Sequence, residues 1–232
     1  MKVQLGEGWE GQGVEVLQLL AGRDFARART PTGERSANRL HQFAVQMANY
    51  CYAVVDRRAG EAILIDPCWD VEGILERLRE SGVTTVRSAL FTHRHFDHTG
   101  GRLPRSMTRG ADIVIEGLKE VVEFTHCFVG VGRGDVDATA KQTGVDSIET
   151  LFDGQDTFRL GLGASSGEEG GTTSSQVRLE VLETPGHTPG SVCFLLRVEL
   201  AEGEGGSDAP PPILISGDSE WIIESCDDPR MR

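Results

Sequence analysis

No apolar run in this sequence approaches the ~18 residues that a membrane-spanning helix needs. The longest, such as Ala62–Ile65 and Ile213–Ile215, are strand-sized. The N-terminus lacks the apolar core of a secretory signal. Basic residues are scarce: 23 Lys and Arg stand against 36 Asp and Glu, a net charge of −13. Such a chain repels phosphate backbones at long range, which argues against a general nucleic-acid binder. A nuclease is not excluded by charge, because bound metal reverses the local field. The five cysteines, Cys51, Cys68, Cys127, Cys193 and Cys226, are an odd number with no close pairing. They read as reduced thiols of an intracellular, cytoplasmic protein. Residues 22–39 carry five arginines, as an organelle presequence would, but Glu7, Glu10, Asp24 and Glu34 are out of place in one.

What is present is globular in character: 38% apolar and 25% charged residues. The 232 residues are read as one domain, 1–232, long enough for a full hydrophobic core. Residues 1–40 form an ill-defined N-terminal extension. Apolar, β-rich runs at Val14–Leu20, Gln42–Met47, Cys51–Asp56 and Ala62–Ile65 predict early strands, the last two joined by a hairpin loop at Arg57–Gly60. Val71, Ile74, Leu75 and Leu78 recur at helical spacing up to Gly82. Val86–Phe91 and Asp112–Ile115 predict strands, and a helix follows over 117–124. Thr157–Leu160, Val177–Leu182, Ser191–Val198 and Ile213–Ser216 complete the strands. Low-complexity stretches at 161–176 and 201–212 read as long solvent loops. The Gly- and Asp-rich segment 127–145 suggests no element. Strands with interspersed helices indicate a layered α/β domain.

The chain has six histidines, and three fall within Phe91-Thr-His93-Arg-His95-Phe-Asp97-His98-Thr-Gly-Gly101. His93 and His95, two apart, share one face of extended chain. Asp97 and His98 cannot both share it, so the backbone must turn there, and Gly100-Gly101 permits the turn. Thr184-Pro-Gly-His187-Thr-Pro-Gly190 holds a fourth histidine on backbone stiffened by two prolines. Ser216-Gly-Asp218 places a carboxylate just after the run Ile213–Ile215. Each motif follows a strand-like run, and strands lying side by side would bring the three loops to one edge. Neutral imidazoles and carboxylates are ligands of zinc, iron and manganese. A purely structural role would leave several buried polar groups to be satisfied at considerable cost. His41 and His126 stand alone and read as ordinary polar residues.

At these residues, from about Gln42 to Trp221, the sequence resembles the metallo-β-lactamase superfamily. The segments Asn49–Asp56, Ile65-Asp66-Pro67 and Thr184–Ser191 look most like its hydroxyacylglutathione hydrolase (glyoxalase II-like) branch. The resemblance implies an αββα sandwich with its site at one edge. It implies a first metal on His93, His95 and His187. It implies a second on Asp97 and His98, with Asp218 bridging, Asp97 in the catalytic role, and Asp66 steadying ligand orientation from behind. Zinc is the expected metal, and the expected reaction is attack by metal-bound hydroxide on a small thioester or ester, including glutathione-linked ones, with no nucleic-acid or membrane partner.

The match has gaps. The superfamily places one more histidine after the Ser-Gly-Asp element, and none follows His187 here. The sequence ends fourteen residues beyond Asp218, so the expected sandwich is incomplete at its C-terminus and the second metal weakly held. Cys226 lies one residue out of register with a cysteine of the branch. Two alternatives stay open. A persulfide dioxygenase of this fold would use one iron on His93, His187 and Asp218. A truncated, catalytically impaired form would have no hydrolase activity.

Overall fold

The computed structural model describes residues 13–26, 28–29, 35–36, 39–103, 105–106, 110, 112–151, 157–160, 176–199 and 211–218. Its elements run β1 (Val14–Leu20), β2 (Ala28–Arg29), β3 (Arg35–Ser36), α1 (Arg39–Met47), β4 (Tyr50–Asp56), β5 (Glu61–Ile65), α2 (Val71–Glu80) and β6 (Thr85–Phe91). There follow α3 (Phe96–Thr99), β7 (Gly101–Arg102), β8 (Val114–Ile115), α4 (Leu118–Thr125), β9 (Phe128–Gly132), α5 (Val136–Thr143) and β10 (Glu149–Leu151). The last strands are β11 (Thr157–Leu160), β12 (Gln176–Glu183), β13 (Val192–Glu199) and β14 (Ile213–Ile215).

Two sheets carry the architecture. The larger has the order β1-β4-β5-β6-β9-β10, and the smaller β11-β12-β13-β14. In the larger sheet β5, β6, β9 and β10 are parallel, while β1, β4 and β5 pair antiparallel. All pairings in the smaller sheet are antiparallel. Strict alternation along the strands decides the layering. In β5, Ala62 and Leu64 join a core with the helices, whereas Ile63 and Ile65 face the other sheet. In β6, Ala89 and Phe91 take the helix side and Leu90 the sheet side. The inter-sheet core is closed from the second sheet by Leu160, Val177, Leu179, Val181, Val192, Phe194, Leu196 and Ile215. Period-two burial on both faces of a strand is what a central layer requires. The result is a mixed α/β sandwich. Among the described residues, helices cover the larger sheet only, and none is long and apolar enough to cross a membrane.

Helix α2 shows how sequence sets a boundary. The Asp70 side chain accepts a hydrogen bond from Gly73 N–H at 2.8 Å, capping the first turn. Val71, Ile74, Leu75 and Leu78 are then buried along one stripe.

Three expectations change. Gln42–Met47 is helix, part of α1, where a strand was expected. Ala44 is buried, and Phe43 and Met47 pack beside it, positions i, i+1 and i+4 that form one helical face. Six residues are too short a window to separate that period from an apolar strand. Segment 127–145 is ordered as β9, a 3-10 turn at Arg133–Asp135, and α5. The strands preceding the three motifs do not lie side by side: β6 belongs to one sheet, and β12 and β14 to the other with β13 between them. Most of 161–176 and 201–212, and all of 219–232 with Trp221 and Cys226, lie outside the described residues.

Candidate metal centre

The site forms where the carboxyl ends of β5, β6 and β9 meet those of β12 and β14. A backbone hydrogen bond from Val192 N–H to Thr92 O, 2.8 Å, ties the two sheets at this edge. Sandwich packing thus does what adjacency in one sheet was expected to do. The chain leaves β6 into Thr92–His95, then winds one turn of helix, α3, that carries Asp97 and His98. That turn separates the pair His93/His95 from the pair Asp97/His98. Gly100 ends it at φ 74, where a Cβ would lie 2.7 Å from Gly117 N.

Three imidazole nitrogens converge. His95 Nδ1 lies 3.2 Å from His93 Nε2 and 2.9 Å from His187 Nε2. Asp218 Oδ2 lies 3.8 Å from His93 Nε2 and 3.6 Å from His187 Nε2. The four residues offer ligand atoms within 4.8 Å of one another. Tetrahedral zinc–nitrogen bonds of about 2.0–2.1 Å would set such atoms about 3.3 Å apart, so the donor set fits one ion. His93 is buried, while the His187 and Asp218 side chains are 33% and 44% exposed, which leaves the centre open on one side.

Asp66 sits behind the histidines and sets their tautomers. It is 4% exposed, and its left-handed backbone (φ 52) is one that Asp tolerates. Oδ1 accepts Thr92 N–H at 2.7 Å, and Oδ2 accepts the Thr92 hydroxyl at 2.7 Å. With its proton so engaged, Thr92 Oγ1 accepts from His93 Nδ1, 3.0 Å away, and the lone pair falls on Nε2. His98 Nδ1 donates to Asp66 Oδ2 at 2.9 Å, which leaves Nε2 as the nitrogen that faces the cluster. One carboxylate therefore turns two histidines toward the cavity. Gly217 is required for this closeness, since a Cβ there would lie 2.5 Å from Thr92 Oγ1.

A second cluster adjoins the first. His98 Nε2 lies 3.5 Å from Asp218 Oδ1 and 3.9 Å from Asp97 Oδ2. Asp218 thus faces His93 and His187 with one oxygen and His98 with the other. The Asn49 amide donates to Asp97 Oδ2 at 3.0 Å, and its nitrogen lies 3.1 Å from His98 Nε2. Asn49 was not singled out as a site residue, although it opens the segment Asn49–Asp56 that carried part of the resemblance.

The charge states follow from these neighbours. Burial, reinforced by His98, pushes His93 down to about 3, so it stays neutral. Burial and His187 lower His95 also. At His98 burial is outweighed by Asp66, Asp218 and Asp97, and its pKa rises to about 10. The hydrogen bond from His98 lowers Asp218 against the opposing effect of burial. Burial raises the Cys51 and Cys68 thiols well above their ordinary value.

Residues 46–199 match the metallo-beta-lactamase superfamily. Among curated relatives, the probable polyketide biosynthesis zinc-dependent hydrolase BaeB of Bacillus velezensis is 28% identical over 68% of this chain and 55% of its own. Hydroxyacylglutathione hydrolase of Rhodospirillum rubrum is 30% identical over 67% of this chain and 46% of its own. This chain spans about half the length of these relatives. Among solved structures, a metallo-beta-lactamase from Staphylococcus aureus is 20% identical with a TM-score of 0.49, over 89% of this chain and 44% of that one. With the matched region running from α1 through β13 and spanning more than half of the sequence, the chain belongs to the metallo-beta-lactamase superfamily.

Proposed function

We propose that this protein is a zinc-dependent hydrolase of small thioesters or esters, with glutathione-linked acyl groups among its substrates. The observation that carries the reading is the convergence of His93 Nε2 and His187 Nε2 on His95 Nδ1, at 3.2 and 2.9 Å. These atoms and Asp218 would hold the first ion, and Asp97, His98 and Asp218 Oδ1 a second. Bound zinc supplies a Lewis acid for the substrate carbonyl and a water whose pKa is lowered toward ~7.

The chain's own part is placement and proton handling. Asp66 and Thr92 keep the His93 lone pair on Nε2, and burial keeps that imidazole neutral. The Asn49 amide holds Asp97 Oδ2 in place. Asp97 accepts the proton of the attacking water. The water oxygen bonds to the carbonyl carbon, the carbon–sulfur bond breaks, and thiolate departs. Because thiolate leaves readily, no strong general acid is needed. The names of the zinc-dependent hydrolase and hydroxyacylglutathione hydrolase relatives support this chemistry.

The test is metal content by mass spectrometry on protein purified without chelator, with lactoylglutathione hydrolysis measured on the same sample. Zinc with turnover supports the reading. Iron with oxygen uptake overturns it in favour of a mononuclear iron centre on His93, His187 and Asp218. His95 argues against that centre, since it adds a third imidazole to the same cluster.

A further inference from the structure

The three converging histidines come from two separate loops, and something must hold those loops in register. We propose that Asp135 is the positioning residue that does so. The inference rests on the reading that His93, His95 and His187 hold a metal.

Asp135 ends the 3-10 turn Arg133–Asp135 between β9 and α5, and it is fully buried at 0% exposure. It ligates nothing in the cluster. Its Oδ2 accepts the backbone N–H of Arg94 at 3.0 Å, the residue between His93 and His95. The same oxygen accepts the Thr188 hydroxyl at 2.5 Å, the residue next to His187. Oδ1 accepts Gly190 N–H at 3.1 Å, at the far side of the His187 loop. Arg94 Nε lies 3.6 Å from Oδ1 and supplies a compensating charge. A single buried carboxylate thus takes donors from both histidine loops, each adjacent or close to a member of the cluster.

The arrangement is directional. Every hydrogen-bonded group around Asp135 is a donor or, in Thr188, acts as one, and a carboxylate is an acceptor only. Removing it leaves the backbone N–H groups of Arg94 and Gly190, the latter buried, without this partner, and each loop then relaxes separately to satisfy its own. Displacement of one loop relative to the other changes the separation of His187 Nε2 from His95 Nδ1, now 2.9 Å. A helix or core residue would stabilise the fold without that effect. Groups hydrogen-bonded directly to ligands commonly carry on the order of 10–100-fold in metal affinity, and Asp135 acts on the same ligands through their chain neighbours.

The test uses the full chain and the variants Asp135→Ala and Thr188→Val. Zinc affinity is measured by competition with a chromophoric chelator, and coordination geometry by the visible absorption of the cobalt-substituted protein. Asp135→Ala is expected to lose on the order of 10–100-fold in zinc affinity and to alter the cobalt spectrum. Thr188→Val, which removes one of the three bonds, is expected to move both in the same direction by less. Should Asp135→Ala fail to fold, Thr188→Val decides. A variant that folds with reduced melting temperature but keeps wild-type zinc affinity and cobalt spectrum overturns the proposal and leaves Asp135 a purely structural residue. Wild-type protein that takes up neither metal removes the underlying metal reading instead, and the two failures are thereby distinct.

Discussion

Replacing Asp66 with asparagine keeps the shape of the side chain and changes only which of its atoms donate. Oδ1 can still accept Thr92 N–H, now at 2.7 Å. The amide NH2 then takes the place of Oδ2, facing Thr92 Oγ1 and His98 Nδ1, which lie 2.7 and 2.9 Å from it. Both must turn from donor to acceptor. His98 then carries its proton on Nε2, aimed at Asp97 and Asp218. The Thr92 hydroxyl proton is released toward His93 Nδ1, which places the His93 proton on Nε2 too. One substitution thus blocks a ligand nitrogen in each cluster while re-forming the surrounding hydrogen bonds in reverse. Loss of such tautomer control costs on the order of 10–100-fold in metal affinity, about 1.4–2.7 kcal/mol. The fold should lose less than that, because few groups are left unpaired. Chelator competition reads the affinity, and nitrogen-15 NMR of the histidine rings reads the tautomers. Asp66→Asn protein that binds zinc as tightly as wild type, with Nδ1 still the protonated nitrogen of His93 and His98 in the zinc-loaded form, refutes the reasoning.

Other outcomes follow from the same geometry. Since folding raises His98 to about 10, its contribution to stability is complete below about pH 6.5 and lost as pH climbs through about 10. Metal-free protein should therefore be less stable at about pH 8.5 than at about pH 7 in urea titrations, and a gain over that window would contradict the assignment. Zinc uptake near pH 7 should release about one proton from His98, measurable by calorimetry in buffers of different ionisation enthalpy. Phe194→Ala, at 0% exposure between the sheets, should cost about 3–5 kcal/mol; a loss under about 1 kcal/mol would mean the inter-sheet core is misplaced. Gly100→Ala forces a side chain into φ 74 and against Gly117, so both thermal stability and zinc affinity should fall, whereas unchanged affinity would show that the α3 turn tolerates the shift.

The residues of the centre were legible in the sequence because their chemistry is rare and local. His93, His95, Asp97 and His98 are crowded into one loop, and His187 and Asp218 each follow an apolar run. The apolar runs of β4, β5, β12 and β13 were legible because they too are local, as was α2 with its four apolar positions. What could not be read was long-range. No local signal says that β6 and β12 occupy different sheets: β6 ends in four consecutive buried residues and β12 buries alternate ones, and neither pattern names a partner strand. Gln42–Met47 looked like a strand because six residues are too few to separate a helical period from a strand run. Asp135 and Asn49 were invisible as site residues because each is defined by partners some 40 to 50 positions away, at Arg94, Thr188, Asp97 and His98. A lone Asp in a Gly-rich stretch looks like a turn, and only packing shows what it accepts.

The most direct measurement is anomalous X-ray scattering at the zinc edge on crystals of protein grown with zinc. A peak within about 2.0–2.2 Å of His93 Nε2, His95 Nδ1, His187 Nε2 and an Asp218 oxygen is the result predicted here. No zinc density at these four atoms, in protein that is folded and zinc-saturated, would contradict it.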